Sequence, residues 1–175
     1  MSAESLPVSH KFQVRVIEAF GIRGFVGSAI GAAIGQGTNT PGEWGQGAAG
    51  FADRYASGFG NNLNRQCFAF ALETVLHEDP RYFPSTENAT GARIKSVIRQ
   101  VIFGKTDGGR TTVAYGRLIS AFAAAQLTNA WQPESSSSVG HGLERGVLVL
   151  SGDVAINLMQ EFIPFTRSEP FRHRH

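Results

Sequence analysis

Charge is what this sequence has least of. Only 17% of its 175 residues are Asp, Glu, Lys or Arg, against roughly a quarter in ordinary soluble domains. Less surface than usual can therefore be solvated, and some of it is expected to meet a partner or a membrane. Cysteine is nearly missing: Cys67 stands alone, which excludes an intrachain disulfide. Its setting, Gln66-Cys67-Phe68-Ala69-Phe70, predicts a thiol packed in the core. There is no run of about 18 uncharged apolar residues, so no simple membrane span is predicted. No secretory apolar region precedes the domain. Phosphate loops, dinucleotide fingerprints, nucleophile elbows and paired-cysteine metal motifs are also lacking. Gly104-Lys105-Thr106 ends like a phosphate loop but has no earlier glycine at the required spacing.

What is present points to helices. The 21 glycines are dispersed through apolar stretches, and 13 Phe with many Ile, Leu and Val can offset the entropy of ordering. Apolar residues recur with a helical period. The spacing predicts helices over 11–35, 43–79 (with a break near Gly58 and Gly60), 92–103, 112–131 and 139–162. Residues 104–110 read as a turn. The expected fold is all-α: a compact bundle of about five helices with glycine-rich contacts and a core of Phe and Ile. One domain would cover 11–165, after a disordered lead 1–10 and before an exposed tail 166–175. The last helix is apolar almost all round, which predicts burial. A duplication of helical hairpins is hinted at. Thr38-Asn39, Pro41 and Gly45-x-Gly47 are echoed by Thr128-Asn129, Pro133 and Gly140-x-Gly142.

Three residue groups are candidate sites. Gly27, Gly31 and Gly35 recur every four residues on one helix face, where small side chains let another helix approach closely. Glu73 and His77 share a helix face, with Asp79 beside them, and His141 and Glu144 share another. Two helices each offering an imidazole and a carboxylate could hold a divalent metal, although capping and ion pairing account for the same residues. Residues 91–117 hold Arg93, Lys95, Arg99, Lys105, Arg110 and Arg117 against Asp107 alone, a local charge of +5. Within that stretch Arg93, Lys95 and Arg99 lie on an amphipathic helix that suits an anionic lipid surface. A solvated helix face is the plainer reading. Asp153, inside an apolar helix, needs a partner, and Arg117 or Arg145 could supply it.

Several strings are familiar together: Asn39-Thr-Pro-Gly-Glu-Trp-Gly-Gln-Gly47, His77-Glu-Asp-Pro-Arg-Tyr-Phe83, Asp107-Gly-Gly-Arg110, Leu127-Thr-Asn-Ala-Trp131 and Gln160-Glu-Phe162. They resemble an uncharacterised family of bacterial proteins, seen especially among acidobacteria. The resemblance covers most of residues 11–165. It implies an envelope location, since members commonly carry an export signal, and it brings no catalytic residue.

The leading expectation is a non-enzymatic envelope or membrane-surface protein. It would act by glycine-faced helix packing against another protein, a second copy or anionic lipid, without a cofactor. The alternative is a metal-dependent enzyme or metal-binding protein centred on Glu73, His77, Asp79, His141 and Glu144. Nucleic-acid binding through 93–117 ranks last, because few aromatics interleave with those arginines.

Overall fold

The computed structural model describes residues 6–163. It contains α1 (Val8–Phe20), α2 (Ile22–Thr38), α3 (Gly47–Val75), β1 (Glu78–Asp79), α4 (Thr90–Ile102), β2 (Phe103–Thr106), β3 (Thr111–Val113), α5 (Tyr115–Thr128) and α6 (Val139–Phe162). The all-α bundle is as expected. Only the extended Gly21 separates α1 from α2, so together they form a single 31-residue rod and the bundle has five rods. A Cβ at Gly21 would collide with the Ile17 carbonyl oxygen, which is why glycine stands at this break. The expected helix over 11–35 is therefore two helices. Residues 8–10, expected in the lead, belong to α1, and Leu6 just before it is buried. Residues 1–5 and the expected tail 166–175 lie outside the described residues.

The α3 rod is the spine, packing against α1, α2 and α5, while α5 packs on α6 and α4 lies on α6. It runs through Gly58 and Gly60 without the expected break. Chain connections divide the bundle into two ends. The α2–α3 and α5–α6 hairpins both close at one, the hairpin end. The other carries an antiparallel sheet of order β1-β2-β3, with Asp79 opposite Lys105 and Phe103 opposite Val113. The expected turn at 104–110 is thus the tip of a β-ribbon. Glu78 joins the sheet to the bundle by accepting from the backbone N–H groups of Tyr115 (3.0 Å) and Gly116 (2.9 Å) at the start of α5.

Polarity is inverted relative to a water-soluble bundle. The largest fully buried side chains are Lys11, Glu73, Glu161, Val97, Thr128 and Ser120. The buried apolar set is mostly alanine, with Leu6, Val14, Val97 and Val101. Phe and Ile, expected inside, are outside: Phe12, Phe20, Ile22, Phe25, Ile30 and Ile34 are all exposed along the first rod. Cys67 is exposed, not packed in the core. The α6 helix is not buried all round either, since Leu143, Val147, Leu148 and Met159 lie open. Close helix contacts are made where a neighbour fills the space of a missing Cβ. Gly116 faces the Glu73 side chain, and Gly146 faces the Phe122 ring.

Candidate functional site

The interior is a lattice of partnered charges. Lys11, 1% exposed, donates to Asp107 Oδ2 (2.8 Å) and to the Glu73 carbonyl (3.0 Å). Arg15 grips the Glu73 carboxylate with two nitrogens, Nε at 2.8 Å and Nη2, and reaches Gln66 Oε1 at 3.0 Å. Arg65 makes a two-pronged pair with Asp153 at 3.0 and 2.5 Å. The partner of Asp153 is therefore Arg65 on α3, not Arg117 or Arg145. Glu161 binds Tyr82 Oη (2.7 Å), the Ser85 N–H (3.0 Å) and Arg93 Nε (2.7 Å), which fastens the 80–89 loop and α4 to the end of α6. Buried charges are tolerated only with such partners.

Each hairpin is closed by the same pair of side chains. Gln36 donates to the Gly47 carbonyl at 3.1 Å, and Gln126 to the Val139 carbonyl at 3.0 Å. In each case the glutamine reaches the first residue of the next helix. Arg54, on α3, donates to the carbonyls of Thr40, Pro41, Gly45 and Gly50 and to Gln36 Oε1, all at 2.7–2.9 Å. Arg145, on α6, donates to the Ser136 carbonyl (2.9 Å) and to Asn129 Oδ1. The sequence signal for this pairing is Gln36-Gly-Thr-Asn39 against Gln126-Leu-Thr-Asn129. It is one residue type longer than the Thr-Asn echo read above.

The five metal candidates do not converge. Glu73 is engaged by Arg15 inside the bundle. His77 is exposed, in a left-handed conformation (φ 53°), with Nδ1 3.7 Å from Asp107 Oδ2. Asp79 is engaged by Arg81 at 2.6 Å, and donating to the Asp79 carboxylate holds the Arg81 guanidinium above its ordinary range. His141 sits at the start of α6 against Ser138 Oγ (2.9 Å), and Glu144 is exposed. Among the described residues no group of three or more His, Cys, Asp or Glu is placed to hold a metal ion.

The glycine face is divided. A Cβ at Gly27 or Gly31 would meet no atom within 4 Å, whereas at Gly35 it would press on Arg54 and the Thr40 carbonyl. The small face of α2 that packs within the chain is Gly24, Ser28 and Ala32. Gly27 and Gly31 are left facing outward.

The basic stretch folds into a cleft of about 600 Å³ between α4, the 81–87 loop and β2. Lys95 and Arg99 line it, joined by Arg81, Lys105 and Arg117, with Glu87 the one carboxylate. Lys105 Nζ lies 4.3 Å from the centre of the Phe83 ring, and the Phe83 backbone is clamped by the Gln100 amide at 3.0 and 2.7 Å. Arg93 points elsewhere, to Glu161 and the Phe162 ring (4.4 Å). Lys105 and Arg117 are close in neither sequence nor helix register to Lys95, so periodicity could not reveal their convergence.

Among the described residues Glu78 is the one carboxyl pushed above its ordinary range. Burial is the main cause and neighbouring Glu73 adds to it, while the two N–H donors at the start of α5 oppose it.

Comparison with protein-family models, with curated proteins and with solved structures finds no match.

Proposed function

We propose that this protein is a membrane-embedded, non-enzymatic helical bundle of the cell envelope that acts by packing with lipid and with other helices. The inversion of polarity carries the reading. In water, exposing Phe and Ile while burying Lys and Glu would be unfavourable on both counts. In hydrocarbon both arrangements are favourable, and intramembrane charges face the bundle interior in pairs. From Phe12 to Ile34 the exposed positions of the first rod carry no charge. That stretch is about 33 Å long at 1.5 Å per residue, close to the hydrocarbon thickness of about 30 Å. The α1–α2 rod is also the one helix among the described residues long and apolar enough to cross a membrane. The sequence hid it because Arg15, Glu18 and Arg23 interrupt the run, yet all three turn away from the open face.

Two further features support the reading. Both tryptophans, Trp44 and Trp131, belong to the hairpin end, as interfacial anchors do. The envelope assignment follows the resemblance carried by Glu43-Trp-Gly-Gln-Gly47 and His77-Glu-Asp-Pro-Arg-Tyr-Phe83. The test is fractionation of native membranes with a high-pH carbonate wash, in which the protein is expected to stay in the pellet. Complete release by the wash would leave it peripheral and overturn the embedding.

Self-association is a second reading, favoured by the outward Gly27 and Gly31 with no neighbour of their own. Close helix approach at small residues drives pairing within lipid. Crosslinking in membranes should yield dimers that Gly27→Leu and Gly31→Leu abolish. Crosslinking unchanged by both substitutions would remove this reading.

A further inference from the structure

The cleft between α4 and β2 has features that membrane embedding does not require. Five cationic side chains reach it, and only Arg81 has a carboxylate partner of its own. Lys95, Arg99, Lys105 and Arg117 take part in none of the ion pairs found among the described residues. Glu87 is the one carboxylate in the lining, so the cleft keeps an excess of positive charge that a bound anion would neutralise. Arg117 is held by the Gln100 carbonyl, one acceptor for five N–H donors. Ser85, Ser96 and Thr111 hydroxyls add neutral donors to the same wall.

The shape specifies the anion further. Lys105 and Arg81 both lie against the Phe83 ring, 4.3 and 5.6 Å from its centre, which ties their positions to that ring. A volume of about 600 Å³ exceeds what a bare ion fills. On α4, Val97 and Val101 are buried against the bundle, Ile94, Ile98 and Ile102 form an exposed apolar strip, and Lys95 with Arg99 run between that strip and the cleft. A ligand with an anionic head and an apolar body would meet matching chemistry on either side of the Lys95–Arg99 ridge. Arginine forks and lysine point charges both suit phosphate oxygens.

We propose that this cleft binds a phosphate ester, with Lys95, Arg99, Lys105 and Arg117 as its cationic wall. The ester is either the head group of an anionic phospholipid or a soluble phosphate of similar size. The site goes beyond embedding, since a bundle can sit in a membrane with this cleft unused.

The experiment uses the full chain purified in mild detergent, titrated with phosphatidylglycerol, phosphatidylcholine and glycerol phosphate while thermal stability is followed. Three chains are compared: the parent, Arg99→Gln/Lys105→Gln, and Arg110→Gln/Lys95→Gln. The first pair removes two cleft cations. The second removes the same charge but only one cleft cation. Phosphatidylglycerol is expected to stabilise the parent more than phosphatidylcholine does. Arg99→Gln/Lys105→Gln should weaken that affinity about tenfold or more, the loss of at least one charge-assisted hydrogen bond. The second pair should weaken it less. Stabilisation by glycerol phosphate as well identifies a soluble ester as sufficient, and stabilisation by the lipid alone identifies a head group. Equal loss in the two double variants, or no response to any phosphate probe, overturns the proposal. Embedding is read separately by carbonate washing of Arg99→Gln/Lys105→Gln, which should remain in the pellet whether or not it binds phosphate.

Discussion

Arg54 is the side chain whose loss has the most predictable cost. Its guanidinium, almost wholly buried, holds four carbonyls and the Gln36 amide. Arg54→Met keeps much of the volume and removes every donor. The Gly50 carbonyl is within α3 and has other uses, but those of Thr40, Pro41 and Gly45 belong to the connection. Hydrogen bonds to charged groups contribute about 1.5–3 kcal/mol each. A plain sum overstates the loss, because the substitution also removes the cost of burying the cation. A net cost of about 3–5 kcal/mol is expected, at the upper end of single substitutions. At about 2–4 °C per kcal/mol for a chain of this size, Tm should fall by roughly 6–20 °C. Arg54→Lys keeps the charge without the fork and should fall between. Arg145→Met, with fewer acceptors, should cost less than Arg54→Met. Helical circular dichroism followed through thermal unfolding in mild detergent measures all three. If Arg54→Met melted within about 2 °C of the parent, or if Arg145→Met cost more, the view of these arginines as hairpin closures would be wrong.

The remaining predictions use other parts of the molecule. Gly146→Ala should destabilise through collision with Phe122, whereas Gly27→Ala, in open space, should gain up to about 1 kcal/mol from helix propensity; thermal melts of the two variants decide it. Cys67, the sole thiol, should resist a membrane-impermeant maleimide in intact membranes and react once they are dissolved; rapid labelling in intact membranes would place that face of α3 in water. Exposed Lys95, Arg99 and Arg110 collect at the sheet end beside Glu87, the one exposed acid there among the described residues, while Glu43, Asp53, Glu134 and Glu144 lie at the hairpin end, so the sheet end should lie on the cytoplasmic side. Impermeant labelling of Glu43→Cys against Arg110→Cys, each in Cys67→Ser, reads that orientation. Because the Glu78 carboxyl is raised in the fold, its stabilising effect is complete below the ordinary glutamate range and lost as pH rises through the shifted value. Glu78→Gln should flatten the stability profile in that window, and an unchanged profile would show that another group titrates there.

Helices α4 and α6 were legible almost to the residue, because an uninterrupted period and flanking turn residues bound them. The α1–α2 break was not, since Gly21 looks like any other glycine in that stretch. The β-ribbon was hidden because 103–113 is too short to show a strand period. The larger miss was the direction of the core. Phe51, Tyr55 and Phe59 recur at helical spacing, and their three rings stack in a row along one face of α3 at 6.5 and 6.2 Å. Periodicity says which residues share a face, not which solvent that face meets. The low charge content was the sequence's only hint. In the cleft, Lys95 and Arg99 were legible on their helix, while Arg81, Lys105 and Arg117 arrive from a loop, a strand and another helix. Arg93 falls near the opposite face of the same helix and is taken by Glu161, 68 positions away.

Each hairpin carries its own closure. Arg54 finds its acceptors within 18 positions and Arg145 within 20, while the ion pairs that link the two halves, Lys11 with Asp107 and Arg65 with Asp153, span 96 and 88. The acceptors of Arg54 and of Arg145 thus lie within each arginine's own half of the chain. The first half can finish its turn while the second is still being synthesised, and assembly then reduces to two prefabricated pieces finding each other through opposite charges. A chain divided in the 84–89 loop would keep both closures whole, and its two fragments should recombine when made together.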